Sequence, residues 1–330
     1  MTLKRLRFVR AIWAVPLLLA AAGPACAKEA PASAKQVASA KKTLVTPVQN
    51  YVPRPAIWLL EDADTKIYLF GTNHILPAGF KWRSPAFEKT VAAADELVVE
   101  TYTTPEQDAE LEAEVMPLML LEKPRPFVAR FPKAHHAAIR EGIEASGLAD
   151  EALDIMQTWA GGMMIGLAAV FDEYGAEDPD DVPGVEDLLE AEFKTAGKPI
   201  LSIEEPIGVL RSLSELPERV QIEMMIGGME DDAALEAATD ASEDEAVKYA
   251  DIHAWAQGRP SKLAEDLKDM PPELYEVLLT RRNTAWAEWL AKRLDRPGTV
   301  LLAVGAGHLT GRDSVQTMLA RRGLQAKRFD

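Results

Sequence analysis

Nothing constrains this chain more than the way its short apolar runs end. Ile67-Tyr68-Leu69-Phe70 leads into Gly71-Thr72-Asn73-His74, and Leu97-Val98-Val99 leads straight into Glu100. Ile200-Leu201-Ser202-Ile203 leads into Glu204-Glu205, and residues 300–304 (Val-Leu-Leu-Ala-Val) lead into Gly305-Ala306-Gly307-His308. Short continuous apolar runs bounded by turn or helix formers read as buried strands. Two histidines and two glutamates therefore lie at or just past strand carboxyl ends. In open sheets with helical crossovers, ligands bind along that edge. If the four strands are parallel neighbours, His74, Glu100, Glu204 and His308 converge on one crevice. Imidazole nitrogen and carboxylate oxygen suit a divalent transition metal such as zinc, manganese, cobalt or iron. Such an ion would also make it tolerable to gather two carboxylates in one partly buried place.

The chain has five histidines, and two of them share the pattern strand-Gly-x-x-His. Gly71 and Gly305 have a physical reason to be there, as supporting turns. Without a side chain, the backbone leaves the strand sharply and approaches a ligand closely. His135, His136 and His253 fall on helical stretches and read as surface or packing residues. Glu205 reads as the solvated member of its pair, although register could reverse that.

Around these runs the pattern is largely helical. Residues 56–60 and 66–70, joined by the turn-forming Glu61-Asp62-Ala63-Asp64, read as a hairpin. Ser84-Pro85 opens a helix to about residue 94, with Ser84 as cap. Helical periodicity then covers 106–121, 134–146, 157–171 and 185–196, and a second block covers about 218–292 with breaks near 258–260 and 270–272. A helix over 314–322 and a strand over 326–329 close the chain. The expectation is a helix-rich α/β (or α+β) domain around a mixed central sheet. It spans residues 54–330 as one unit, with helical insertions at about 105–196 and 218–292.

The amino-terminal segment places the chain in a cellular context. Lys4, Arg5, Arg7 and Arg10 precede an apolar stretch over 11–22, and Ala25-Cys26-Ala27 supplies small residues for cleavage. That is the layout of a secretory signal peptide over 1–27. The apolar stretch is too short for the ~20 residues of a bilayer span. A periplasmic or secreted protein is expected, with no stable membrane insertion after cleavage. Lipidation at Cys26 is a weaker reading, since Gly23-Pro24-Ala25 lacks the usual upstream Leu-type position. Residues 28–53, rich in Ala, Lys, Ser and Pro, read as a flexible leader. Cys26 is the sole cysteine, so a chain cleaved after Ala27 has neither disulfides nor thiol chemistry. Removing the four basic residues takes the formal charge from −16 to −20, which argues against nucleic acid as a partner. A peptide or small-molecule substrate fits better; oligomeric state leaves no mark in the sequence.

Several blocks of this chain resemble the TraB/PrgY/GumN family, which also includes the Tiki metalloproteases. Residues 68–77 (Tyr-Leu-Phe-Gly-Thr-Asn-His-Ile-Leu-Pro) resemble its first signature, and Ala94-Asp95-Glu96-Leu97-Val98-Val99-Glu100 its next block. Gly184-Val185-Glu186, followed by Gly197-Lys198-Pro199 and Glu204, is similar to its central block. Arg282-Asn283 and Val304-Gly305-Ala306-Gly307-His308-Leu309-Thr310-Gly311 are similar to the last two. The resemblance implies metal-dependent hydrolysis of peptide or amide bonds by metal-activated water. On that resemblance His74 and His308 are ligands or acid/base groups, and Glu100 is a ligand or the base. Glu204 is a further candidate ligand, Arg282 stabilises negative charge on substrate, and Asn283 orients a neighbour.

Two other readings stay open. One keeps the site without metal, as an esterase-like hydrolase with His as general base. The other is a non-catalytic periplasmic accessory protein that holds a metal or ligand. Trp82, Trp159, Trp255, Trp286 and Trp289 would suit a sugar groove, but their amphipathic settings favour helix packing. Met163, Met164, Met224, Met225 and Met229 read as adaptable packing. The chain has no phosphate-binding P-loop, no His-Glu-x-x-His and no Gly-x-Ser-x-Gly.

Overall fold

The computed structural model describes residues 44–227, 249–259 and 269–329. The expected signal peptide, most of the expected leader and parts of the second helical block lie outside them. The expected hairpin is present: β1 (Ile57–Glu61) runs antiparallel to β2 (Thr65–Thr72). Asp62 closes its turn by accepting the Asp64 and Thr65 amides. Ser84 caps α1 (Pro85–Ala93), accepting the Phe87 N–H at 3.1 Å. After β3 (Glu96–Val99) come α2 (Pro105–Met119), α3 (His136–Ser146), α4 (Asp150–Ile155), α5 (Thr158–Tyr174) and α6 (Val185–Thr195). β4 (Ile200–Ser202) is followed by α7 (Gly208–Ser214), α8 (Ala250–Ala256) and α9 (Pro272–Tyr275). A π-helical turn over Glu276–Thr280 runs directly into α10 (Arg281–Arg293). β5 (Gly298–Gly305), a 3-10 turn at Ala306–Leu309, α11 (Val315–Arg321) and β6 (Lys327–Arg328) complete the order. α4 and α7, at 6 and 7 residues, are too short to show the periodicity that marks a helix in sequence.

The six strands among the described residues form one mixed sheet in the order β4-β3-β5-β2-β1-β6. β4, β3, β5 and β2 are parallel neighbours, whereas β1 and β6 are antiparallel additions at one edge. Alternation along the strands separates two apolar faces. Phe70, Leu97, Val99 and Leu301 face α1, α6 and α8 through Phe87, Val91, Leu189, Phe193 and Ile252. Leu69, Val98, Leu302 and Val304 face α10 and α11 through Trp286, Leu290, Val315 and Leu319. The result is an α/β fold of three layers, in which each fully buried Leu, Val or Phe contributes roughly 1.5–3 kcal/mol. The helices between β3 and β4 pack with later segments into two further cores, one in which Trp159 meets Leu210 of α7 and Leu278 of the π turn, and another around Phe127, Ile139 and Met225.

Residues 44–53, read from composition as the end of a flexible leader, are tied to the domain. Val45 donates to the Tyr174 carbonyl at 3.1 Å, Gln49 exchanges two hydrogen bonds with the Lys81 backbone, and the Tyr51 hydroxyl meets His253 Nδ1 at 2.6 Å. Local composition carries no trace of these long-range partners. No helix among the described residues is long and apolar enough to cross a membrane.

Candidate functional site

Because β4, β3, β5 and β2 are parallel, their carboxyl ends share one edge, and the four runs deliver their terminal residues there in spatial order. Glu204 follows β4, Glu100 follows β3, His308 sits on the 3-10 turn after β5, and His74 follows β2. The register then sets the depth. Val99 is level with Ala303, so Glu100 stands beside the end of β5 and accepts the Gly305 N–H on Oε1 at 2.7 Å.

That oxygen is the meeting point of the site. His74 Nε2 lies 3.9 Å and His308 Nε2 3.6 Å from Glu100 Oε1. The glycines that precede the histidines serve close approach, with no left-handed backbone involved. A Cβ on Gly305 would stand 2.9 Å from His74 Nε2 and 3.2 Å from Glu100 Oε1, and one on Gly71 would press on Ala306. Gly71, expected from the sequence to be a supporting turn, is instead the penultimate residue of β2.

Arg282, at the start of α10, spends all five N–H donors inside this cluster. Nε and Nη2 grip Glu204 at 2.9 and 2.6 Å, and Nη2 also reaches Glu100 Oε2 at 2.5 Å. Nη1 donates to the Leu278 carbonyl in the π turn at 3.2 Å and to His308 Nε2 at 3.1 Å. Glu204, expected beside the histidines as a ligand, is committed instead to this fork and to Trp286 Nε1 at 3.1 Å. The reason is reach: β4 is the outer strand, so its tip meets the guanidinium before it meets either imidazole. Glu205 is exposed, as expected.

The network sets the protonation of each imidazole. Arginine has only donors, so His308 Nε2 must accept and Nδ1–H must donate to Asn283 Oδ1 at 2.6 Å. Asn283 is itself held by the Asp313 carbonyl at 2.8 Å. Burial, with Arg282 and His74 nearby, holds His308 well below the usual histidine range, hence neutral. His74 behaves oppositely. Burial disfavours its charge, but Glu186, accepting from Nδ1 at 2.9 Å, and Glu100 overcome it and raise the pKa to about 9. Burial pushes the Glu100 carboxyl up, against the pull of Arg282 and His74. Glu186 is held low: burial opposes its charge, but His74 and the Thr72 hydroxyl stabilise it.

Three of these residues escaped sequence reasoning. Glu186 at the second position of α6, Thr72 at the end of β2 and Trp286 on α10 all touch the cluster. The Trp286 ring lies 4.2 Å from the His308 ring and 4.9 Å from the Arg282 guanidinium carbon. The only signal for Glu186 was the Gly184-Val185-Glu186 block, since a Glu in a first helical turn otherwise reads as a favourable surface charge. His135, His136 and His253 stand apart; His136 bonds the Phe131 carbonyl and His253 packs with Tyr51 and Phe80. Among the five tryptophans named above, Trp82, Trp159 and Trp286 are buried in cores.

Among the described residues no three His, Cys, Asp or Glu side chains stand in a ready chelating arrangement. The donor set nonetheless fits a divalent cation. His74 Nε2 is buried without a hydrogen-bond partner among the described residues. Glu100 and Glu204 share the Arg282 guanidinium, while Glu186 and Glu100 draw a proton onto His74. The other ring nitrogen of each histidine is held by a carboxylate or an amide, the usual support of a ligating imidazole.

No curated protein matches the chain significantly, and no solved structure does either. A sequence profile of the TraB/PrgY/gumN family matches residues 56–328, which takes in every strand and every residue of this cluster. The chain therefore belongs to the TraB/PrgY/gumN family.

Proposed function

We propose that this protein is an exported hydrolase that cleaves peptide or amide bonds with water and a divalent transition metal. The observation that carries the reading is the convergence of His74 Nε2 and His308 Nε2 on Glu100 Oε1 from three separate strands. His74 and His308 would hold the ion, which when bound lowers the pKa of water and polarises a scissile carbonyl. Glu100 takes the proton of the attacking water. Its raised proton affinity suits that task, and the Gly305 N–H aims the oxygen that receives the proton. Arg282, fixed by its five contacts, turns a permanent positive charge towards the oxyanion that develops. Glu204 and Trp286 hold the guanidinium in place.

One observation favours a second reading. Arg282 Nη1 already engages His308 Nε2, so the cluster carries a built-in cation where a metal would sit. A metal-independent, esterase-like hydrolase, with His as general base and carboxylate support, would use the same residues.

Elemental analysis of the purified protein, with hydrolysis of peptide and ester libraries before and after chelation, tests both. Bound metal with chelator-sensitive peptide cleavage is the expected result. Ester cleavage that survives chelation favours the second reading, and ligand binding without turnover would leave only an accessory role in the cell envelope.

A further inference from the structure

The contact between α6 and the end of β2 is built more closely than a surface ion pair requires. The Val185 N–H at the α6 N-terminus donates to the Asn73 carbonyl at 2.9 Å. Gly184, the residue before α6, lies so near His74 that a Cβ there would stand 2.4 Å from the His74 carbonyl oxygen. The first turn of the helix is thereby pressed onto the Asn73-His74 backbone, and Glu186 is carried directly to the His74 ring. Its Oε1 accepts from His74 Nδ1 at 2.9 Å and also from the Thr72 hydroxyl, two residues before the histidine. The helix N-terminus adds a favourable field for the carboxylate.

We propose that Glu186 is a positioning residue: it holds His74 by Nδ1–H and leaves Nε2 as the ring edge turned towards Glu100 and an incoming divalent cation. The proposal deepens the metal-dependent reading and rests on it for the identity of the ligand, but the orientation of the ring does not depend on it. A carboxylate behind a ligating imidazole fixes the ring's rotation and raises its basicity, and losing such a partner costs 10–100-fold in metal affinity. Glu186 Oε2 is buried with no hydrogen-bond partner among the described residues, so the side-chain partners that account for the enclosed carboxylate are Thr72 and His74.

The test uses histidine-labelled protein, free of metal, with the His74 signals assigned by His74→Asn. The native protein should show a strongly deshielded proton on His74 Nδ1. That proton should vanish in Glu186→Ala and persist, less deshielded, in Glu186→Gln. Thr72→Val, which leaves the carboxylate in place, should keep it. In parallel, Co2+ titration followed by its visible spectrum should give an apparent Kd weakened on the order of 10–100-fold in Glu186→Ala and by less in Glu186→Gln. Retention of the Nδ1 proton in Glu186→Ala would overturn the proposal, and so would an unchanged Co2+ affinity. If the native protein binds no Co2+, the metal-dependent reading fails instead, and the proton signal alone decides the role of Glu186.

Discussion

Arg282 is the residue on which this cluster turns. Burying a guanidinium with two carboxylates is tolerable only while every donor and most acceptors are paired. Arg282→Ala would leave Glu100 and Glu204 as uncompensated buried charges, so a loss of about 3–5 kcal/mol is expected in urea denaturation. Arg282→Lys should restore only part of it, because an ammonium has three donors and no planar fork for Glu204. If the lysine variant matches the native stability, the fork is not what holds the site. Glu100 is expected to act differently. Glu100→Gln keeps the volume and the Gly305 contact but removes the proton acceptor and sets an amide N–H against the Arg282 donor. Turnover should fall on the order of 10²–10⁴-fold in protein that still folds, at a lowered thermal midpoint because the buried ion pair loses a partner. Native-like kcat/KM in this variant would rule out Glu100 as the base.

At the scale of elements, the site depends on two close contacts: β5 with its neighbours, and α6 with the β2 end. Gly305→Ala puts a methyl group 2.9 Å from His74 Nε2, so ring and carboxylate must separate. The strand should still form, while turnover drops on the order of 100-fold, the effect of displacing a reacting group by about 1 Å. A Gly305→Ala enzyme as active as the native one would show that the His74–Glu100 approach does not matter. α6 also carries Glu190, whose carboxyl is raised to about 7 by burial first and by Asp187 and Glu186 next, against the pull of Lys194. An acid with a raised folded pKa destabilises the fold when ionised. The cost is absent below the unfolded value of about 4.5. It grows as pH rises and is complete above about 7. Glu190→Gln should therefore be close to neutral at pH 4.5 and stabilising by ~1 kcal/mol at pH 8, after allowance for partial exposure. A difference that does not change with pH would contradict this.

At the scale of the whole molecule, a ligand that binds only the folded state must stabilise it. A divalent metal at 100 times its Kd adds about 2.7 kcal/mol. For a domain of this size that raises the melting temperature by roughly 5–10 °C, lost on chelation. The shift should be absent in His74→Ala; if both proteins respond alike, the metal is bound elsewhere.

How far the fold and site could be read beforehand differs from residue to residue. The hairpin, the Ser84 cap and the strand endings at His74, Glu100, Glu204 and His308 were legible because strand period, capping and glycine placement are local properties of the chain. The leader was misjudged over residues 44–53 because Val45, Gln49 and Tyr51 find their partners far along the chain. Glu186 and the π turn before Arg282 were missed for the same reason: each looks ordinary until its neighbour in space is known. What the amino-acid order determined alone is the content of the site, two imidazoles and two carboxylates each at the tip of an apolar run. Only the tertiary structure decided that β5, the fifth strand in sequence, inserts between β2 and β3. That insertion puts His308 between His74 and Glu100 and sends Glu204 to Arg282 instead of the histidines. Strand order arises from burying both faces of the sheet under distant helices, and no local stretch of sequence encodes it.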